Sequence, residues 1–268
     1  MNTFFYKVWL PLKLLTVVFL CMFFFDYTTI NWWIVFASWF LLGPVGLGVG
    51  FHKLFSHRQF ETYKPIEYTI AVLGTLASYA PILYFASQHQ HHHINADGDK
   101  DVQAGTQHGI FESFWTWRLK TSCLRAVSLK NYPVKRMAQD KFLMFLNNNF
   151  VYIIWATVFT ILLIDYNLLL SLLLLPILIE EMLLNSVNTV CHFKDLPGNY
   201  QNYVTEDSSS NNIVLGVITL GRGWHNNHHA NSKDLVNWNR WWEVDIEGLT
   251  GLLLSKDFWK KKTSSVAS

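Results

Sequence analysis

The sequence predicts an all-α integral membrane protein: four transmembrane helices in two hairpins, joined to a cytosolic helical cap. Three observations predict it. Charged residues are only 15% of the 268, against roughly a quarter in ordinary globular domains. Long apolar stretches come in two pairs, each pair broken by a single aspartate, Asp26 or Asp165. Most of the 11 histidines sit in short boxes outside those stretches. An aromatic content of 16% excludes a disordered chain. A net charge of +2 excludes a charge-driven nucleic-acid binder. The cysteines, Cys21, Cys123 and Cys191, form no CxxC, so neither a disulfide framework nor a thiolate zinc site is expected.

The first hairpin covers about residues 10–51. Leu14 to Phe25 is extended by Leu10 to Leu12, and Lys13 can snorkel to the interface. Tyr27 to Phe51 is 25 residues without charge or histidine, enough to cross an apolar core of about 30 Å as a helix. Trp32 and Trp33 stand where an interfacial aromatic belt belongs. A signal peptide is disfavoured, because no small-residue cleavage site is present and a second span follows at once. Tyr68 to Ser87 is also uncharged but contains Gly74, Ser78 and Pro81. A single crossing there would put the later histidines on the wrong side, so it reads as an interfacial or re-entrant segment. The second hairpin covers residues 142–192. Phe142 to Ile164 is uncharged with a polar start at Asn147 to Asn149, and Tyr166 to Ile179 continues past Glu180 and Glu181 to His192. Residues 52–141 and 193–255 form the cap of a single domain. Residues 256–268 form a tail whose Lys260, Lys261 and Lys262 suit anionic lipid. The hairpin turns hold no basic residue, so all 21 Lys and Arg share one side. The positive-inside rule makes that side, with both termini, cytoplasmic.

Nine histidines fall into a pattern. His52 and His57 form an HxxxxH, His89, His92 and His93 an HxxHH, and His225, His228 and His229 another HxxHH. His192 ends the fourth span. Spacings of three and four put side chains on neighbouring positions of one helix face. Five residues on a straight helix turn two rings about 140° apart, so His52 and His57 either serve different ions or sit on a distorted helix. Nine ligands are too many for one ion and suit two. Imidazole suits iron, copper, zinc and nickel. His91 interrupts the second box on another helix face and His108 lacks a partner at ligand spacing, so both are expected outside the site.

The order HxxxxH, HxxHH, then Gly223-Trp224-His225-Asn226-Asn227-His228-His229, resembles the membrane-bound acyl-CoA fatty acid desaturases of the delta-9 type, over roughly Leu10 to Leu254. Phe51 to Arg58 resembles the family's first box, Asn188 to His192 its NxxxH, Asp97, Asp99 and Asp101 its acidic run, and Trp241 to Asp245 its WWE-x-D. The resemblance implies two non-haem irons (Fe2+) held by His52, His57, His89, His92, His93, His192, His225, His228 and His229, with Asn188 holding a water on one iron. It implies a di-iron site in the cap and a kinked tunnel for a long saturated acyl chain. Four positions depart from the family's pattern. Arg222 stands where the family has Glu, Gln90 where it has Arg, Val102 where it has Pro, and Ser113 to Trp117 lacks an expected histidine. Losing a basic residue weakens the case for a CoA phosphate contact, and leaves a lipid or an acyl-carrier protein as further carriers.

A methylene C–H bond offers no acid–base handle, so a metal with O2 and two external electrons must supply the oxidising power. No haem or iron–sulfur domain is fused, so a separate donor is required, a b-type cytochrome, a ferredoxin or similar. The ligand rings need acceptors for their second N–H. Candidates are Asp97 and Asp101, with Asp99, Glu243 and Asp245 behind them. Phe40, about three turns from His52, is a candidate for the tunnel's far end. Glu181 shares a helix face with Asn188 and His192 and is a tunnel candidate, or else lies beside a ligand or at a helix interface. The basic run Arg118, Lys120, Arg125, Lys130, Lys135 and Arg136 suits carrier phosphates, lipid headgroups or an acidic redox partner. A lipid hydroxylase would use the same ligands. A zinc protease lacks its HExxH. A metal transporter would place its ligands near the bilayer midplane, and a metal-binding structural protein is the remaining reading.

Overall fold

The computed structural model describes residues 5–101, 103–116 and 132–260. It is mostly helical. Arg118, Lys120, Arg125, Lys130, Val102, Trp117, Cys123, Lys261 and Lys262 lie outside the described residues. A turn of π-helix, Phe5–Trp9, leads into α1 (Leu10–Phe24). Asp26 reverses the chain in the left-handed region, at φ 61°. Asn31 then caps α2 (Trp32–Phe40), accepting from the amides of Trp33 and Ile34 at 3.1 and 3.2 Å. α2 continues without a break as a π-helix, Leu41–His57. The cap elements α3 (Lys64–Leu76), α4 (Ile82–Asn95), α5 (Gly105–His108) and α6 (Tyr132–Met137) follow. Then come α7 (Lys141–Asn148), α8 (Phe150–Ile164), α9 (Tyr166–Leu169) and α10 (Leu175–Val190). Asp165, at the second turn, caps α9 by accepting from Asn167 N at 2.9 Å.

Three helices are long and apolar enough to cross a membrane: Tyr6–Phe24, Trp32–His57 and Tyr166–Val190. The stretch expected as one further span is broken. α7 and α8 meet at a bend of 70°. Asn149 sits at the break and turns its amide back to Phe145 O at 2.9 Å. Phe145 O also accepts the Asn149 backbone N–H at 3.0 Å, so the polar triplet at 147–149 marks a corner. The described chain thus has three candidate spans, or four if the bent pair counts as one. Lys13 pairs with Glu181 on α10, which also accepts from Trp9 Nε1.

Core side chains form one buried cluster across these helices, among them Leu47, Phe51, Ile70, Phe85, Ile154, Val158, Leu169, Leu170 and Leu174. Val17, Trp33, Phe159 and Leu163 face outward uncovered, as expected where lipid replaces water.

α3 and α4 form a hairpin laid along the π-helix. Gly46 meets the backbone of Gly74, and Gly50 meets Ile70, so α3 runs antiparallel to it. Phe85 packs on Phe51 and His89 touches His57, so α4 returns parallel to it. The turn between them passes through Ser78 at φ 59°. The segment expected to be interfacial or re-entrant is therefore a helical hairpin, and it returns the second histidine box to the level of the first. In the cap, β1 (Asn199–Tyr200) pairs antiparallel with β2 (Asn211–Asn212). α11 (Ile213–Ile218), α12 (His225–Ala230) and α13 (Ile246–Leu254) complete it.

Candidate metal centre

The nine histidines gather in two groups. His52, His57, His89, His93 and His228 form one, and His92, His192, His225 and His229 the other; within each, ligand atoms lie within 4.8 Å of one another. The two HxxHH boxes divide in opposite senses. On α4, His89 and His93 share a face one turn apart and His92 faces the other group. On α12, His225 and His229 share a face and His228 faces the first group. His91 bonds Lys100 O instead, and neither it nor His108 belongs to a group.

The distorted-helix alternative for His52 and His57 is the one realised. π-Helical hydrogen bonds run i→i+5, so residues five apart come to one face, and the two rings lie 4.9 Å apart. Glycines at 43, 46, 48 and 50 weaken the ordinary helix here, and Pro44 removes a donor. Arg58 then ends the helix in the left-handed region, its N–H returning to Lys53 O.

Glycines also place the third box. A Cβ on Gly223 would lie 2.1 Å from Gly216 N, and one on Gly216 would strike the Trp224 ring. The 215–216 and 222–224 backbones can therefore touch, setting the start of α12. Asn211 then fixes α12 by accepting from Asn226 N at 2.9 Å.

Within the first group Nε2 atoms face one another: His57 to His89 at 2.6 Å, His89 to His93 at 3.1 Å, His93 to His228 at 3.1 Å and His228 to His52 at 3.0 Å. In the second, His192 and His225 Nε2 are 3.0 Å apart, and the buried Nε2 atoms of His92 and His229 have no partner among the described residues. A neutral imidazole has one N–H, so so many facing nitrogens cannot satisfy one another. A metal–imidazole bond of about 2.1 Å puts neighbouring ligand nitrogens about 3 Å apart. The sets fit two metal ions.

Burial, reinforced by neighbouring imidazoles, holds His89, His93, His225 and His228 well below the usual histidine range. They are neutral, as ligands must be. Three acids orient the second group. Asp101 accepts from His92 Nδ1 at 2.8 Å and Asp97 from His192 Nδ1 at 3.0 Å. Asp207 accepts from His229 Nδ1 at 2.6 Å. Burial opposes charge on His92, but the adjacent Asp101 outweighs it and holds that pKa up. Burial dominates at His229 and lowers it to about 3. Asp207 is the residue that spacing arguments miss. It lies in the loop between β1 and β2, at no motif distance from any box. Asp99 is exposed. Glu243 and Asp245 touch no histidine; they hold scaffold. Glu243 takes Asn227 Nδ2 at 2.9 Å and Tyr200 OH at 2.7 Å, and Asp245 takes Lys53 at 3.1 Å.

A cavity of about 770 Å³, its open mouth included, reaches both groups through His52, His89, His228 and His225. Leu47, Ala80, Tyr84, Phe85, Leu184 and Val187 make it largely apolar. Asn188 lines it and is half-buried. Of the two tunnel candidates, Phe40 is not among its lining residues; from that span Leu47, Gly48, His52 and Lys53 are. Glu181 takes the helix-interface alternative, held by Lys13 and Trp9. Gln90 bonds Ser56 O at 2.8 Å, which ties α4 to the end of the π-helix. Arg222 is buried in a carboxylate pair. Glu180 takes its two terminal nitrogens, one at 3.1 Å, and Glu247 Oε1 lies 2.8 Å from its Nε. Trp39 Nε1 also donates to Glu180, at 3.1 Å.

Two clusters of imidazoles able to hold metal ions open on a largely apolar cavity. Residues 30–241 match the family model for fatty acid desaturases, and the chain belongs to that family. It is 28% identical over 235 residues to an sn-1 stearoyl-lipid 9-desaturase of Anabaena variabilis, covering 81% of this chain and 77% of that one. It is 27% identical over 235 residues to an acyl-CoA C20 Delta5-desaturase of Anemone leveillei, covering 81% and 70%. It is 29% identical over 226 residues to an sn-2 palmitoyl-lipid 9-desaturase of Nostoc sp., covering 80% and 74%. Family membership makes it a desaturase-type oxidoreductase with a lipid acyl substrate, associated with membranes.

Proposed function

We propose that the protein is a membrane-bound di-iron desaturase that introduces a cis double bond into a long saturated acyl chain. The observation that carries this reading is the pair of histidine groups facing one apolar cavity. His52, His57, His89, His93 and His228 would hold one iron. His92, His192, His225 and His229 would hold the other, completed by Asn188 through a water. The irons, with O2 and two electrons from a separate donor, supply the oxidising power. The balance is –CH2–CH2– plus O2, two electrons and two protons giving –CH=CH– and two waters.

The chain's own residues do the rest. Asp97, Asp101 and Asp207 fix Nδ1–H of their histidines, so each Nε2 lone pair points inward. Leu47, Tyr84, Phe85, Leu184 and Val187 bind the acyl chain by apolar burial and exclude water. Holding the chain in one register selects one carbon pair. The spans are proposed as four, with the bent pair α7–α8 as the third, and both termini and the metal centre on the cytoplasmic side. The carrier is CoA, a membrane lipid or an acyl-carrier protein, since the relatives include all three kinds. Gln90 is occupied by Ser56 and brings no phosphate contact, which favours the lipid.

The test is mass spectrometry of total fatty acids from cells expressing the protein, with double bonds located, analysed by lipid class. A new monounsaturated acid, absent from a His225→Ala control, is expected. Hydroxy acids in its place would overturn desaturation and point to a hydroxylase.

A further inference from the structure

The acyl cavity stops at a definite depth. On α10 its lining runs from Asn188 through Val187 to Leu184 and no deeper. One turn on stands Glu180. On the π-helix the lining runs from His52 to Gly48 and Leu47 and no deeper. One turn on stands Gly43. These two missing positions are the same place. A Cβ on Gly43 would lie 2.2 Å from Glu180 Oε2, so the Glu180 carboxylate crosses from α10 and lies on the π-helix backbone. Arg222, itself part of the lining, clamps that carboxylate, and Trp39 bonds it from the far side. Glu247 lies against Gly48 in the same way. The glycines make room for carboxylates, and the carboxylates meet the guanidinium.

We propose that the buried Glu180–Arg222 pair closes the deep end of the cavity and sets the longest acyl segment that fits beyond the metal centre. The proposal rests on the desaturase reading for its substrate class. A methyl end driven further would have to part a desolvated ion pair. Parting the pair would leave two buried charges uncompensated, which costs more than burying another methylene gains. The wall from His52 to Leu47 is five residues, at most about 7.5 Å at a helical rise of 1.5 Å, so the permitted segment is short. An apolar floor would yield by small rearrangements; an ion pair held at both ends gives a sharp cutoff.

The experiment is thermal stabilisation of the purified full chain by saturated free fatty acids of graded length. The wild type is expected to gain stability with length and then stop at a cutoff. Glu180→Gln combined with Arg222→Leu removes both charges and keeps an acceptor for Trp39. It is expected to move the cutoff to longer chains by about two methylenes, roughly the depth a guanidinium fills at bond lengths near 1.5 Å. Leu184→Phe, one turn above the floor, is expected to shorten it. A folded double variant with an unchanged cutoff overturns the proposal. If that variant does not fold, Leu184→Phe decides, and an unchanged cutoff there overturns it. Because stabilisation needs no turnover, failure here is distinct from failure of the desaturase reading, which would show as no unsaturated product in cells.

Discussion

Asp207 shows how much of a metal centre lies outside its ligands. It holds His229 Nδ1 at 2.6 Å from a loop between two short strands. Asp207→Asn keeps the size but offers a weaker acceptor. Loss of such an outer partner costs about 10–100-fold in metal affinity. Competition with a chelator should therefore release one equivalent of metal earlier than the other; simultaneous release would contradict the assignment. The histidines carry a pH signature too. His229 titrates near 3 in the fold and near 6.5 when unfolded. The unfolded chain takes up the proton first, so stability is full above about pH 6.5 and falls as pH drops toward 3, by up to about 1.4 kcal/mol per unit for this residue. Denaturant midpoints of the metal-free protein across that range would check the sign. At this scale the nine histidines were legible because ligands on a helix obey its period. Asp207 was not, since loop contacts have no period. For Glu181 the sequence left tunnel and helix interface both open, because a shared helix face does not tell which neighbour the face meets.

The π-helix Leu41–His57 is the element that makes the site possible. A straight α-helix would have turned His52 and His57 apart; this one turns both to the first group. The five-residue spacing of His52 and His57 leaves distortion open but cannot choose it, because the choice is made by packing against α3 and α4. The closest backbone approach to α3 is Gly46 to Gly74, where a Cβ would lie 2.6 Å from backbone nitrogen. Gly46→Ala should therefore destabilise by about 1–3 kcal/mol through overpacking, visible as a lower midpoint in thermal unfolding; an unchanged midpoint would show that the two helices are free to separate. The α7–α8 corner was half-legible. The polar triplet at Asn147 to Asn149 was plain, but only the 70° bend shows that it breaks the element.

At the scale of the whole molecule, hydropathy read most of the architecture, because backbone groups in lipid must be satisfied within helices. What it could not read was the charge buried between helices. Lys13 and Glu181 meet across α1 and α10. Lys13→Met should leave Glu181 without its cation and cost about 3–5 kcal/mol, with the Lys13→Met/Glu181→Met double variant recovering much of the loss in the same unfolding assay. The proposed topology is separable from this. Single cysteines replacing Asp26 and Asp165, in a chain without native cysteines, should react with an impermeant thiol reagent from outside the cell. One replacing Asn231, beside the third box, should react only after permeabilisation. Labelling of all three from one side would contradict the arrangement.

The central claim is two irons, one in each histidine group. Elemental analysis of the purified protein tests it most directly. The account predicts two irons per chain, falling to one in His57→Ala and to one in His229→Ala. A single ion in the intact protein, or zinc in place of iron, would contradict it.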